Sequence, residues 1–187
     1  MKERRVIIAA AVIALLSSCD KQSVQSIYDR QETTISNFVE AQLKADPDAT
    51  VTYNGGSVRI TLHDTMYKGV EGADSLRAGG TVSFYYAGYT LSGTSLSSAN
   101  MFATNWKEAA ESAGWALSDE SQFHIETLSL DDDLIEGLRN GLVGVQNQDE
   151  CIILFSGKYG FGAKKKGTVP PRSALAFHVW VNSFDNE

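Results

Sequence analysis

Beyond residue 23, apolar positions fall at Val24, Ile27, Tyr28, Ile35, Phe38, Val39 and Leu43. Most of these spacings are three, four or seven, which places them on one face of a helix. Residues before a proline avoid the helical region, so the helix is predicted to end before Asp46-Pro47-Asp48. Its apolar face needs a partner, either the folded domain or a second copy of the same helix. The pattern then changes to alternation. Thr50–Tyr53 and Val58–Leu62 read as two strands, with Asn54-Gly55 as the turn between them. A further strand covers Thr81–Ala87, with Val82, Phe84 and Tyr86 on one face, and another is expected over Phe123–Thr127, with Phe123 and Ile125 inward. A short helix from Leu134 presents Leu134, Ile135, Leu138 and Leu142, and Asp131-Asp132-Asp133 stand where carboxylates would cap it. A strand over Glu150–Phe155, a Gly- and Lys-rich loop over Gly157–Pro171, and a final strand over Ala174–Phe184 complete the chain. Several antiparallel strands with one short helix against them make an α+β domain.

The N-terminus changes the picture of where the protein works. Lys2, Arg4 and Arg5 precede an apolar run from Val6 to Leu16, followed by Leu16-Ser17-Ser18-Cys19. A basic segment and a short apolar segment form a secretory signal, too short for an ordinary membrane span. Small residues before a cysteine resemble a bacterial lipobox. That resemblance implies cleavage before Cys19, acylation of its thiol and amine, and a lipid-anchored protein of the cell envelope, periplasmic or surface-facing. Residues 1–18 are thus read as a lipoprotein signal peptide, residues 19–49 as a tether and amphipathic helix, and residues 50–187 as the folded domain.

The net charge is −7, and residues 1–18 contribute +2, so the chain from Cys19 carries −9. This argues against nucleic acid as a partner. Of the two cysteines only Cys151 follows Cys19, inside the apolar run Cys151–Phe155, and it reads as a buried thiol. His63, His124 and His178 are scattered, and neither a Gly-x-Ser-x-Gly elbow nor a His-Glu-x-x-His motif occurs. Lys164-Lys165-Lys166 read as a solvated loop tip. What remains is a set of aromatic and aliphatic positions without a nucleophile.

Those positions resemble the FKBP-type peptidyl-prolyl isomerases. The segment Leu134-Ile135-Glu136-Gly137-Leu138-Arg139-Asn140-Gly141-Leu142, then Tyr159-Gly160-Phe161-Gly162 and Val169-Pro170-Pro171, followed by the alternating last strand, is similar to the C-terminal half of that family. Tyr85-Tyr86-Ala87-Gly88 is similar to its His-Tyr-Thr-Gly strand end, and Phe102 to the Phe of its Phe-Asp-Ser motif. The resemblance covers roughly Gly79 to Phe184. It implies an antiparallel sheet wrapped around a short helix, with the N-terminal helix as an addition that the pocket does not need. It also implies an isomerase whose catalytic wall comprises Tyr86, Phe102, Ile135, Phe161 and Phe177, with Leu134, Leu138, Val169 and Phe123 in substrate binding.

The chemistry implied is rotation about an X–Pro amide, opposed by a barrier of about 18–20 kcal/mol. A dry aromatic pocket can lower that barrier without cofactor, metal or nucleophile, because water stabilises the planar, charge-separated amide more than the twisted one. The expected partners are proline-containing polypeptide segments, those of exported proteins above all. Three departures stand out: Ala103 replaces the family's aspartate, Leu138 its tryptophan, and Phe161 its second tyrosine. An insertion after Phe102 carries Trp106, a helix-like Lys107–Ser112 and Trp115, and either tryptophan could fill the pocket floor or pack within the insertion. The departures leave a second function open, a non-catalytic binding module or chaperone that uses the same pocket.

Overall fold

Leu175, Phe177, Val179 and Val181 alternate with Ala176, His178 and Trp180, and that alternation runs along the longest strand among the described residues. In the computed structural model this strand, β7 (Leu175–Asp185), lies between β6 (Glu150–Phe155) and β3 (Thr81–Thr90), antiparallel to both. The structure describes residues 2–63, 74–117 and 119–187, with the backbone alone for residues 2–22. Processing at residues 1–18 and acylation of Cys19 concern side chains outside those described.

Among the described residues the sheet has seven strands. The hairpin β1 (Thr50–Asn54) and β2 (Ser57–Thr61) adds to β6, giving the order β1-β2-β6-β7-β3. The outer edge of β3 is shared. Its first half, Thr81–Phe84, pairs with β5 (Glu126–Ser129), and Ala87–Tyr89 pair with β4 (Met101–Thr104). The gap between them is bridged by the side chain of Asn105, only 4% exposed. Its Oδ1 accepts the Tyr86 N–H at 2.6 Å, and its Nδ2 donates to the Phe84 carbonyl at 3.1 Å. One side-chain amide thus replaces a missing ladder partner in the strand that carries two cavity residues.

The short helix α3 (Glu136–Leu142) lies on the inner face, against β6 and β2. Gly137 is required there, since a Cβ on it would sit 2.2 Å from the Phe155 ring. Leu138 and Leu142 enter the core with Val82, Phe84, Ile153, Phe155, Phe177 and Val179. The helix starts later than its sequence pattern suggests, and the three aspartates do not cap it. Asp132 instead accepts the Ser129 N–H in the turn leaving β5, and Gly137 N–H bonds to the Tyr159 carbonyl. At its other end, Arg59 of β2, 7% exposed, donates to the carbonyls of Gly141, Val143 and Gly144, supplying the charge that a helix C-terminus favours.

On the outer face lies α1 (Lys2–Ala45), a single helix in which the expected tether is continuous with the amphipathic helix, and it ends before Asp46-Pro47. Ile35, Phe38 and Val39 are buried against Val58, Ile60, Ile152 and Leu154, so the sheet is the partner of this stretch of its apolar face. The insertion helix α2 (Lys107–Ser112) lies on the outer face too. Trp106 packs edge-on against Trp180 with ring centroids 4.0 Å apart, and Trp115 joins the same cluster. Neither tryptophan reaches the inner face; both pack the insertion onto the outer face of the sheet.

Candidate functional site: an aromatic cavity

On the inner face, Phe84 and Tyr86 of β3, Phe177 of β7, Phe102 and Ala103 of β4, and Glu126 and Leu128 of β5 surround a cavity of about 300 Å³, closed by Asp133, Leu134, Ile135, Leu138 and Phe161. Phe177 is the hub and only 3% exposed. Its ring centroid lies 6.0 Å from Tyr86, 5.8 Å from Phe102 at an interplanar angle of 85°, and 5.9 Å from Phe155 at 14°. Phe161 meets Phe102 at 6.2 Å and 70°. These are the edge-to-face and offset arrangements aromatic quadrupoles prefer. Gly88 is part of the design, because a Cβ there would stand 3.0 Å from Phe102 and 3.1 Å from Phe177.

The polar groups of the cavity are few. The Ile135 N–H precedes the first turn of α3 and has no hydrogen-bond partner among the described residues. The Tyr86 hydroxyl has none either, and burial, with the charge of Glu126 adding to it, raises its pKa above the ordinary value. Next to the cavity lies a more polar depression of about 420 Å³. It shares Asp133, Leu134, Ile135 and Phe161 with the cavity and is bordered by Glu136, Lys158, Lys164 and Lys166.

Of the residues singled out from the sequence, Tyr86, Phe102, Leu134, Ile135, Leu138, Phe161 and Phe177 come together here. Phe123 does not. It closes a 3-10 turn over Glu120–Gln122, and the strand starts only at Glu126, so Glu126 and Leu128 face the cavity in its stead. Val169 is 1% exposed and packs in the core instead of lining the cavity. Cys151 is fully buried, and that burial pushes its thiol pKa up to about 12, which suits packing and not nucleophilic attack.

Two supporting residues had not been singled out. Asn105 fixes the strand bearing Phe84 and Tyr86. Gln31 of α1 fixes the loop bearing Phe161: its Oε1 accepts the Gly157 N–H at 2.8 Å, and its Nε2 donates to the Arg172 carbonyl at 2.5 Å. Gly157 and Arg172 are the two ends of that loop, tied to each other through Gly162, which donates to the Gly157 carbonyl and accepts the Arg172 N–H. The N-terminal helix, expected to be irrelevant to the pocket, therefore braces one of its walls. A lone glutamine on an otherwise polar helix face offers no signal of such a partner 126 or 141 residues away.

Residues 72–182 match the family described as FKBP-type peptidyl-prolyl cis-trans isomerase. This chain belongs to that family, a class of enzymes that isomerise X–Pro bonds. Solved structures agree in fold. A peptidyl-prolyl cis-trans isomerase from Pseudomonas syringae pv. tomato is 15% identical, with a TM-score of 0.55, 87% of this chain and 96% of that chain being covered. FkpA from Escherichia coli is 15% identical with a TM-score of 0.50, covering 96% of this chain and 72% of the other. The three FKBP domains of wheat FKBP73 give 20% identity and a TM-score of 0.54, with 74% of this chain covered but only 52% of that longer one. No curated protein sequence matches closely enough to serve as a relative.

Proposed function

We propose that this isomerase works on exported polypeptides from a lipid anchor at Cys19, and that the aromatic cavity is where the X–Pro bond turns. The observation that carries the reading is the convergence of Tyr86, Phe102, Phe161 and Phe177 on one cavity, beside the Ile135 N–H, which has no partner among the described residues. A proline ring fits such a space by apolar contact with the aromatic walls. The Ile135 N–H then donates to the carbonyl that follows the proline, so one side of the rotating bond is fixed while the residue before proline swings.

The walls strip water from the rotating amide. That weakens the planar, charge-separated form relative to the twisted one and lowers the barrier of about 18–20 kcal/mol. Phe161 presents no hydroxyl and Ala103 no carboxylate, so desolvation and positioning carry the catalysis, and the rate enhancement is modest. Large apolar residues before proline are the favoured substrates, since Phe102, Phe161 and Phe177 form an apolar wall.

A protease-coupled assay on tetrapeptides that differ in the residue before proline tests this. Leu-Pro and Phe-Pro peptides are expected to isomerise faster with the protein than without it, and faster than Gly-Pro. Capture of proline segments with no acceleration would identify a binding module instead. The anchor is tested separately by fatty-acid labelling of the wild type and Cys19→Ala in a bacterial host, where equal labelling would remove it.

A further inference from the structure

The cavity contains an acidic group that rotation by desolvation does not use. Glu126 opens β5 and is paired with Phe84 across the ladder, which puts its side chain on the inner face, among the cavity walls with Tyr86. Among the described residues no ion pair or hydrogen bond engages its carboxylate. Its charge is nevertheless felt within the cavity, at Tyr86. Asp133 lines the cavity from the loop before α3 and is exposed. The lysines of this region, Lys158, Lys164 and Lys166, border the adjoining depression, and none of them lines the cavity itself.

An aromatic recess that holds a half-buried, unpaired carboxylate is a poor host for a second anion. Part of the water that would screen the two charges is displaced when the ligand enters, so the repulsion acts through a lower effective dielectric than in bulk. A cation at the same place gains by the same argument. A charge so placed discriminates between ligands more than it adds affinity.

We propose that Glu126 is a specificity-determining residue, selecting proline segments with a Lys or Arg side chain next to the proline over segments with Asp or Glu there. The inference rests on the reading of this cavity as the proline site and adds a substrate class to it. Apolar neighbours of proline are indifferent to the charge, so the selection operates among polar segments. Asp133, being exposed, contributes less.

The test is binding of fluorescent peptides with one proline and either Lys or Glu placed immediately before or immediately after it, with a Leu peptide as reference, at low and high salt. At one of the two placements the wild type is expected to bind Lys over Glu by roughly tenfold at low salt, less at high salt. Glu126→Gln, similar in shape, is expected to bring that ratio to within about threefold. Asp133→Asn is expected to change the ratio less. Equal binding of Lys and Glu peptides by the wild type at both placements, or a preference that survives in Glu126→Gln, would overturn the proposal. Because binding is read without turnover, a charge preference in a protein that does not accelerate isomerisation would sustain this subsite while sinking the catalytic reading.

Discussion

Replacing Gln31 by alanine removes both hydrogen bonds between α1 and the ends of the Gly157–Arg172 loop. Each bond contributes a net of about 0.5–1.5 kcal/mol, and a buried donor left without a partner costs about 1–3 kcal/mol. Gly157 is buried and would lose its acceptor, whereas the half-buried Arg172 carbonyl can find water. The expected destabilisation is therefore about 2–3 kcal/mol. With a urea slope of about 1–3 kcal/mol per molar, the unfolding midpoint followed by tryptophan fluorescence should fall by roughly 1 M with an unchanged slope. Phe161 sits in the released loop, so KM should rise more than kcat falls, because the loop can still close on bound substrate. Gln31→Glu keeps the acceptor for Gly157 and loses the donor to Arg172, and should fall between the two. An unfolding free energy within about 0.5 kcal/mol of wild type, together with unchanged KM, would refute the reasoning and return α1 to the status of a spacer.

Asn105→Ala should destabilise by about 2–4 kcal/mol, since one buried and one part-buried backbone group of β3 lose their partner, and calorimetry or urea unfolding would register it. Gly137→Ala should cost at least about 1–3 kcal/mol through overpacking, because the added methyl meets the rigid Phe155 ring; an unchanged Tm would mean α3 can lift from the sheet. Burial raises the pKa of Asp149 above its ordinary 3.8, although the Gln146 N–H and the Arg59 charge pull the other way. A carboxyl whose folded-state pKa exceeds its unfolded one opposes folding when ionised, and that penalty disappears as pH falls through the folded-state value towards 3.8. Wild type should therefore gain stability relative to Asp149→Asn as pH drops through that window, measured by urea titrations at stepped pH; a difference independent of pH would remove Asp149 as the source.

Periodicity carried far because burial here follows alternation. The Glu150–Phe155 strand and the Lys107–Ser112 helix fall where their residues indicate, and the last strand is displaced by a single residue at each end. The cavity walls Tyr86, Phe102, Phe161 and Phe177 were readable because each belongs to a local motif. What could not be read depends on contacts between distant segments. Phe123 alternates with Ile125 as an inward strand position would, and the family resemblance implies a binding role for it, yet Asp119 organises a 3-10 turn just before it and the strand starts only at Glu126. The aspartates at 131–133 carry the residue type of a helix cap, but Ser129 engages Asp132 first. Gln31 and Asn105 act through one polar side chain each on backbone far along the chain, and no one-dimensional pattern encodes such a pairing.

The central claim is that the aromatic cavity is the seat of isomerisation, and the ratio of kcat/KM for a Leu-Pro tetrapeptide between wild type and Phe102→Ala tests it most directly. Phe102 is half-buried, so the fold should tolerate its loss, which circular dichroism can check alongside. The account predicts clear acceleration by the wild type and at least a roughly tenfold drop in the variant, as expected when a wall that excludes water from the rotating amide is removed. An equally active, folded Phe102→Ala protein would contradict it.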